Sequence, residues 1–105
     1  MAIRYEIIFA QATREHLTFI ERHYYSLIYQ TTVEQLQYDP MVETHNRKPL
    51  KKPSEIGATW ELRFGPNNRF RVLYEVLPDD GKVHILAVGV KQGNRLLVGG
   101  KEIKL

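Results

Sequence analysis

Three arginines stand out in the stretch WELRFGPNNRFRVLYEV, residues 60–76, because they interrupt two runs of large apolar side chains. Arg63 precedes the turn sequence Gly-Pro-Asn-Asn, and Arg69 and Arg71 follow it. Arginine presents its N–H donors in a planar fork that matches the oxygens of a phosphate group. These residue types therefore indicate binding of a polyanion or stabilisation of charge on a phosphoryl group.

The alternation of apolar residues on both sides of this turn predicts a β-hairpin. One register keeps the apolar residues of both strands on the buried face, whereas a shift by one residue would scatter them. That register pairs Leu62 with Val72 and Phe64 with Phe70. It places Arg63 directly opposite Arg71 on the other face, and it leaves Arg69 in the turn.

Two opposed arginines repel each other, so the predicted hairpin needs a nearby anion. Glu61 and Glu75 lie diagonally nearby and would neutralise the pair, which is the arrangement of a purely structural domain with a mixed-charge surface. A bound phosphate would neutralise the pair equally well. The pattern alone leaves both interpretations open.

A second basic cluster, RKPLKK, occupies residues 47–52 and contains no acidic residue. Its lysines, together with Lys91 after the apolar run VHILAVGV, would extend a positive surface if they lie on the arginine face. The lysines of the cluster are Lys48, Lys51 and Lys52. With a formal net charge of +3, this distribution points to nucleic acid or another polyanion, or else to a solvated loop.

The rest of the chain supplies the elements that would position these side chains. Apolar residues recur with strand period at 3–9, 58–64 and 70–76, and with helical period over 12–36. A further strand is predicted at 82–90, where the almost uniformly apolar run VHILAVGV is typical of a strand in the middle of a sheet. The helical stripe shifts near His23, which predicts two helices or one kinked helix, with Tyr25 and Tyr29 in the core. The order of elements indicates one α+β domain, residues 1–105, with the helices on one face of an antiparallel-rich sheet.

Two segments fall outside these regular patterns. Residues 40–57 contain three prolines and predict a long loop, and the tail GNRLLVGGKEIKL predicts a short edge strand or a cover over the sheet. Within the tail, Gly99-Gly100-Lys101 lacks the earlier glycine of a phosphate-binding loop and is followed by Glu102, so we discard that interpretation.

Other kinds of site have little support in the sequence. The chain has no cysteine, which excludes disulfides and zinc–thiolate sites and fits a cytoplasmic protein. No two of its four histidines have metal-ligand spacing, so we predict no metal and no cofactor. His84 is a candidate acid or base if it lies on the arginine face. No apolar run approaches the roughly 18 residues of a membrane span, so we expect no membrane partner.

Taken in order, the motifs YEIIF, LQYDP, PLKK, WELRFGPNNRFRVLYEV and VHILAVGVKQGNRL resemble the RelE/ParE superfamily of bacterial toxins. The resemblance implies a type II toxin with two N-terminal helices on a four- or five-stranded sheet (β-α-α-β-β-β). RelE-like members cut mRNA in the ribosome without a metal, by attack of the ribose 2′-hydroxyl on the neighbouring phosphate. ParE-like members inhibit DNA gyrase instead. Either kind would bind a cognate antitoxin, and operator DNA only through that complex.

The resemblance also assigns site residues. Arg71 matches a phosphate-stabilising arginine, and Arg63 and Lys91 match further basic positions. If the protein is a RelE-like nuclease, the lysines of the basic cluster, Lys48, Lys51 and Lys52, would hold the RNA backbone; the carboxylate that some relatives carry in this loop is absent. Two departures accompany these matches. Thr59 and Glu61 stand where RelE itself has lysines, and no tyrosine or histidine follows Lys91 as an acid or base.

Overall fold

The computed structural model describes residues 3–105, which form two α-helices, seven strands and short 3₁₀ turns. The helices are α1 (Ala12–Leu17) and α2 (Tyr25–Leu36). The strands are β1 (Glu6–Phe9), β2 (Arg47–Pro49), β3 (Trp60–Phe64), β4 (Phe70–Leu77), β5 (Lys82–Gln92), β6 (Arg95–Val98) and β7 (Lys101–Ile103). None of the helices in this part of the chain has the length and hydropathy needed to cross a membrane.

One sheet contains all seven strands. Antiparallel neighbours follow the order β2-β3-β4-β5-β6-β7, and β1 pairs in parallel with the first half of β5. The prediction of four or five strands was therefore wrong in number. It missed β2, because a three-residue edge strand that ends at Pro49 is too short to show an alternating pattern.

The tail also forms more structure than predicted. Residues 95–103 fold into a hairpin of β6 and β7, turned by Gly99 and Gly100, which both have positive φ angles. Positive φ is inexpensive for glycine, so two successive glycines give a tight hairpin turn. The Gly-Gly-Lys sequence is thus explained by the turn.

The longer helix lies on one face of the sheet. Residues of α2 and of the segment before it pack on the apolar face of the β3–β4 hairpin, where Leu62, Val72 and Tyr74 are fully buried. A smaller apolar cluster, which includes Leu73 and Ala87, lies on the opposite face. A bulge at Leu86 shifts the side-chain alternation of β5, and this explains why the central strand is apolar along its whole length.

The helical stripe is interrupted between Leu17 and Tyr25, where a 3₁₀ turn at Arg22–Tyr24 joins the two helices. Helix α2 buries Ile28, Thr32 and Leu36 at helical spacing. Tyr29 is 59% exposed and stacks on Phe9, so its placement in the core was wrong. Tyr25 is half-buried, and its hydroxyl donates a hydrogen bond to the carbonyl of Leu17.

Helix α1 closes a gap along β5. On the side of β5 away from β4, pairing with β1 ends at Ile85 and pairing with β6 begins at Gly89, so the N–H of Val88 has no strand partner on that side. That N–H donates to Nδ1 of His16 at 3.3 Å. Burial lowers the pKa of His16, and the nearby Glu15 carboxylate opposes this only in part. The imidazole therefore serves as a neutral acceptor.

We expect the free energy of unfolding to decrease as the pH falls below about 6.5, because the unfolded chain then takes up a proton that folded His16 resists. The contribution is complete above this pH and is lost as the pH falls toward the lowered pKa of the folded protein. Urea titrations at several pH values measure it. His16→Asn keeps an acceptor near Val88 and should flatten the decrease, whereas His45→Asn, at an exposed position, should not. Equal slopes for His16→Asn and the wild type would contradict this role.

Candidate functional site

The β3–β4 hairpin has the predicted register. Leu62 is opposite Val72, Phe64 is opposite Phe70, and Arg63 is opposite Arg71. Arg69 does not share the face of Arg63 and Arg71. It lies at the end of the turn, and its guanidinium is 5.5 Å from the ring centre of Tyr24 and 5.1 Å from that of Phe70. Its role is therefore to join the turn to the helical layer.

An open groove of about 350 Å³ lies beside the two opposed arginines. We call it the arginine groove; its polar lining consists of Glu61, Arg63, Arg71, Lys91, Asn94, Glu102 and Lys104, and apolar residues of the tail complete it. Lys91 reaches it because Gly89, two positions earlier on β5, is directly opposite Arg71. Arg63, Arg71 and Lys91, the three site residues that the family resemblance implies, thus line one surface.

Glu61 lies between the two arginines. Its Oε1 is 2.7 Å from Nε of Arg63 and 3.5 Å from Nη1 of Arg71, and only 3% of the residue is exposed. The carboxylate therefore provides the anion that the opposed arginines require. Glu75, the other acid considered, instead lies 3.3 Å from Nδ1 of His84. The pair is only partly neutralised, since two guanidiniums share one carboxylate.

The two arginines differ in accessibility. The side chain of Arg71 is 9% exposed, and its Nε donates to the carbonyl oxygen of Asn68 at 3.0 Å. The side chain of Arg63 is 39% exposed, and its Nε is bound to Glu61. Arg71 is thus a fixed positive charge at the base of the groove, and Arg63 is a more accessible one.

A second groove, of about 500 Å³, continues from the first. We call it the lysine groove; it is lined by Lys48, Lys51 and Lys52, with Pro49 and Leu50. Glu61, Arg63 and Leu105 line both grooves, so the two form one continuous surface. All six cations selected from the sequence border this surface.

The basic cluster at 47–52 is divided by the strand β2. Lys48 is opposite Glu61 in the sheet and lies 3.4 Å from the carboxylate of Glu43. Arg47 has a structural role, because its guanidinium donates to the carbonyls of Gln35 and Val42 at 2.6 and 3.0 Å. The segment 40–57 is therefore not a loop throughout, and Arg47 fixes it to α2.

His84 and Tyr74, a histidine and a tyrosine of the central strands, lie away from the arginine groove. His84 is paired with Glu75, four positions along β4 from Arg71, which corresponds to about 13 Å of strand. His84 does share the arginine face, but it lies at its other end. Tyr74 is fully buried on the helix side, where its hydroxyl donates to the carbonyl of Pro40 and burial raises the pKa of its phenol.

Three polar residues at the arginine groove were not predicted from the sequence: Asn94, Glu102 and Lys104. Asn94 belongs to the turn between β5 and β6. Glu102 and Lys104 reach the groove because the tail folds back and β7 pairs with β6. Glu102 lies 3.1 Å from Nε of Arg95 and 3.6 Å from Nζ of Lys104. Across residues 3–105, no three His, Cys, Asp or Glu side chains are grouped in a way that could hold a metal ion.

Comparison with known proteins agrees with this architecture. The chain matches no protein-family model and no curated protein sequence. Among solved structures, it is similar to a chain of the RelBE2 toxin–antitoxin complex of Mycobacterium tuberculosis, with a TM-score of 0.68 and 22% identity. The similarity covers 85% of this chain and 93% of that one. The α+β fold expected from the sequence is thereby confirmed, and it is shared with a chain of that complex.

Proposed function

We propose that this protein is the toxin of a type II toxin–antitoxin pair and that it cuts mRNA on the ribosome without a metal. The observation that carries this proposal is the convergence of Arg63, Arg71 and Lys91 on one open groove. The lysine groove beside it offers a path for the RNA backbone. The fold shared with a chain of a toxin–antitoxin complex supports the same class of protein.

The proposed reaction needs groups that stabilise negative charge more than it needs a covalent nucleophile. The ribose O2′ forms a bond to phosphorus, the bond from phosphorus to O5′ breaks, and the products are a 2′,3′-cyclic phosphate and a 5′-hydroxyl. Arg71 and Arg63 would stabilise the charge that develops on the phosphate oxygens. Lys91 would donate a proton to the departing O5′, and the 2′-hydroxyl proton would pass to water.

The geometry also gives a reason for dependence on the ribosome. No histidine or tyrosine lines the arginine groove in the part of the chain that the structure describes. A site that lacks a strong proton acceptor gains most from a substrate held in a reactive conformation. The ribosome would supply that conformation by fixing the mRNA. The proposed partners of the protein are the ribosome, mRNA and a cognate antitoxin, and the proposed location is the cytoplasm.

Expression of the protein without an antitoxin tests the proposal. We expect growth arrest, with primer extension showing new 5′ ends within translated regions of mRNA. The same ends should appear when purified protein, ribosomes and a message are combined, and they should be absent without ribosomes. Growth arrest with intact mRNA would exclude the nuclease function.

A second candidate function is inhibition of DNA gyrase by binding, as in ParE-like toxins. The observation that favours it is the Glu61 carboxylate, which pairs with both arginines that a nuclease would direct to phosphate and occupies the Nε donor of Arg63. In that case, growth arrest would be accompanied by loss of plasmid supercoiling and by no RNA fragments. A supercoiling assay with purified gyrase separates the two functions.

The lysine groove gives a quantitative prediction for RNA binding. Replacing Lys48, Lys51 and Lys52 by alanine should reduce the slope of log Kd against log salt concentration by about 2, since each phosphate contact on single-stranded RNA contributes about 0.7. Fluorescence anisotropy with an RNA oligonucleotide measures this slope. A variant with Arg4, Arg14 and Arg22 replaced by alanine loses the same charge at exposed positions outside both grooves. Equal slopes for the two variants would exclude the lysine groove as the RNA path.

A further inference from the structure

Glu61 is buried to an extent that a surface charge does not require. It is 3% exposed, although it lies at the junction of two open grooves. Burial of a carboxylate is unfavourable unless the charge is paired and hydrogen-bonded. Here a single oxygen, Oε1, contacts the guanidiniums of both Arg63 and Arg71. The carboxylate therefore links the two arginines to each other.

This link determines which donors face a ligand. The Nε of Arg63 is bound to Glu61, and the Nε of Arg71 is bound to the carbonyl of Asn68. With each Nε held, the orientation of each guanidinium plane is fixed. The terminal nitrogens of Arg63, whose side chain is 39% exposed, are then the most accessible donors of the pair. Two such nitrogens are the donors with which a guanidinium can bind a phosphate in two places.

We propose that Glu61 is the positioning residue of the arginine site, which holds the two guanidiniums in a fixed relation so that they act on one phosphodiester of RNA. This inference deepens the proposed function and rests on it for the identity of the substrate. Glu61 acts through Arg63 and Arg71, not by touching the phosphate. Its negative charge weakens the attraction for RNA, while the order that it imposes speeds the reaction.

These two effects predict a separation of binding from turnover. Glu61→Gln removes the charge and loosens both guanidiniums. We expect RNA to bind about 2- to 10-fold more tightly and cleavage of bound RNA to slow by about 10- to 100-fold, because catalysis depends on alignment more than binding does. Glu61→Asp keeps the charge on a shorter side chain and should restore part of the rate. If Glu61 only stabilised the fold, its replacement would not make RNA bind more tightly.

The test uses the full chain with ribosomes, and it measures single-turnover cleavage and the Kd for an oligonucleotide with a 2′-deoxy residue at the cleavage position. Glu75→Gln is the matched control, because it removes the same charge from the same face but lies at the His84 end. It should change neither quantity. Glu61→Gln with the wild-type rate, or with slower cleavage and weaker binding, would overturn the inference.

A second measurement does not depend on activity. In ¹⁵N spectra of arginine side chains, the Nε–H of Arg63 should exchange slowly with water in the wild type and in Glu75→Gln. It should exchange faster in Glu61→Gln, whose neutral amide oxygen is a weaker acceptor, and fastest in Glu61→Ala. If the wild type cuts no RNA but shows this pattern, the proposed function fails and the positioning role stands. If Arg63 exchanges equally in all variants, the positioning role fails whatever the activity. If Glu61→Gln and Glu61→Ala both fail to fold, the wild type and Glu61→Asp decide. Fast Arg63 exchange in the wild type would overturn the positioning role, and slow exchange that becomes moderately faster in Glu61→Asp would support it.

Discussion

Replacement of Arg71 by alanine is expected to reduce mRNA cleavage by about 100- to 1,000-fold, the effect of removing one donor that stabilises a charged transition state. Arg71 is 9% exposed and is fixed by the carbonyl of Asn68, so its charge is in place before RNA binds. The variant should also lose toxicity when it is expressed without an antitoxin. Primer extension with purified ribosomes measures the effect on the reaction itself.

Two further variants show whether position or charge matters. Arg71→Lys keeps the charge but lacks the planar fork, so we expect it to recover only a small part of the rate. Arg14→Ala removes one exposed arginine of α1, outside both grooves, and should cut mRNA as the wild type does. If Arg71→Ala remained as toxic as the wild type, the arginine groove would not be the site of cleavage.

The second large effect concerns stability. Phe70→Ala is expected to lower the free energy of unfolding by about 3–5 kcal/mol, the usual cost of emptying a large buried aromatic site. Phe70 is fully buried, packs edge-on against Tyr24 at 4.9 Å between ring centres, and contacts Phe64 at 5.8 Å. It also fills the space above Gly65, where a Cβ atom would lie 2.4 Å from its ring.

Urea unfolding followed by circular dichroism measures this loss. Phe19→Ala is the matched control, since Phe19 is the same residue type but is 60% exposed, and we expect a change of less than about 1 kcal/mol. Similar losses for the two variants would show that the hairpin is not held to the helices through Phe70. Because Arg71 follows Phe70 directly, a loosened hairpin should also reduce cleavage.

The sequence predicts the hairpin well because one of its faces is buried. A register shift would have placed Leu62 or Val72 in water, so burial leaves one arrangement and sets Arg63 against Arg71. Strand parity gives the face on which a side chain lies. It does not give the direction of a long side chain, and so it did not show that Glu61 would bridge the arginines while Glu75 would bind His84.

Strands β2 and β7 were harder to predict for a different reason. Each has three residues, which is too few for a period of two to be recognised, and each is defined by its neighbour more than by its own composition. The lining of the arginine groove by Lys104 depends on the second of these strands. The cations of the core strands were therefore found from the sequence, and those contributed by the tail were not.

The short strands at the two ends of the sheet order also bear on self-association. An exposed strand edge can pair with the same edge of another molecule and begin aggregation. Strand β2 ends in Pro49, which has no backbone N–H, and β2 also carries Lys48. Strand β7 begins with Lys101. Two copies that approach through either end bring like charges together on a short row of hydrogen-bonding groups. The basic side chains at these ends therefore help to prevent edge-to-edge strand pairing between copies of the protein, a role separate from any affinity for RNA.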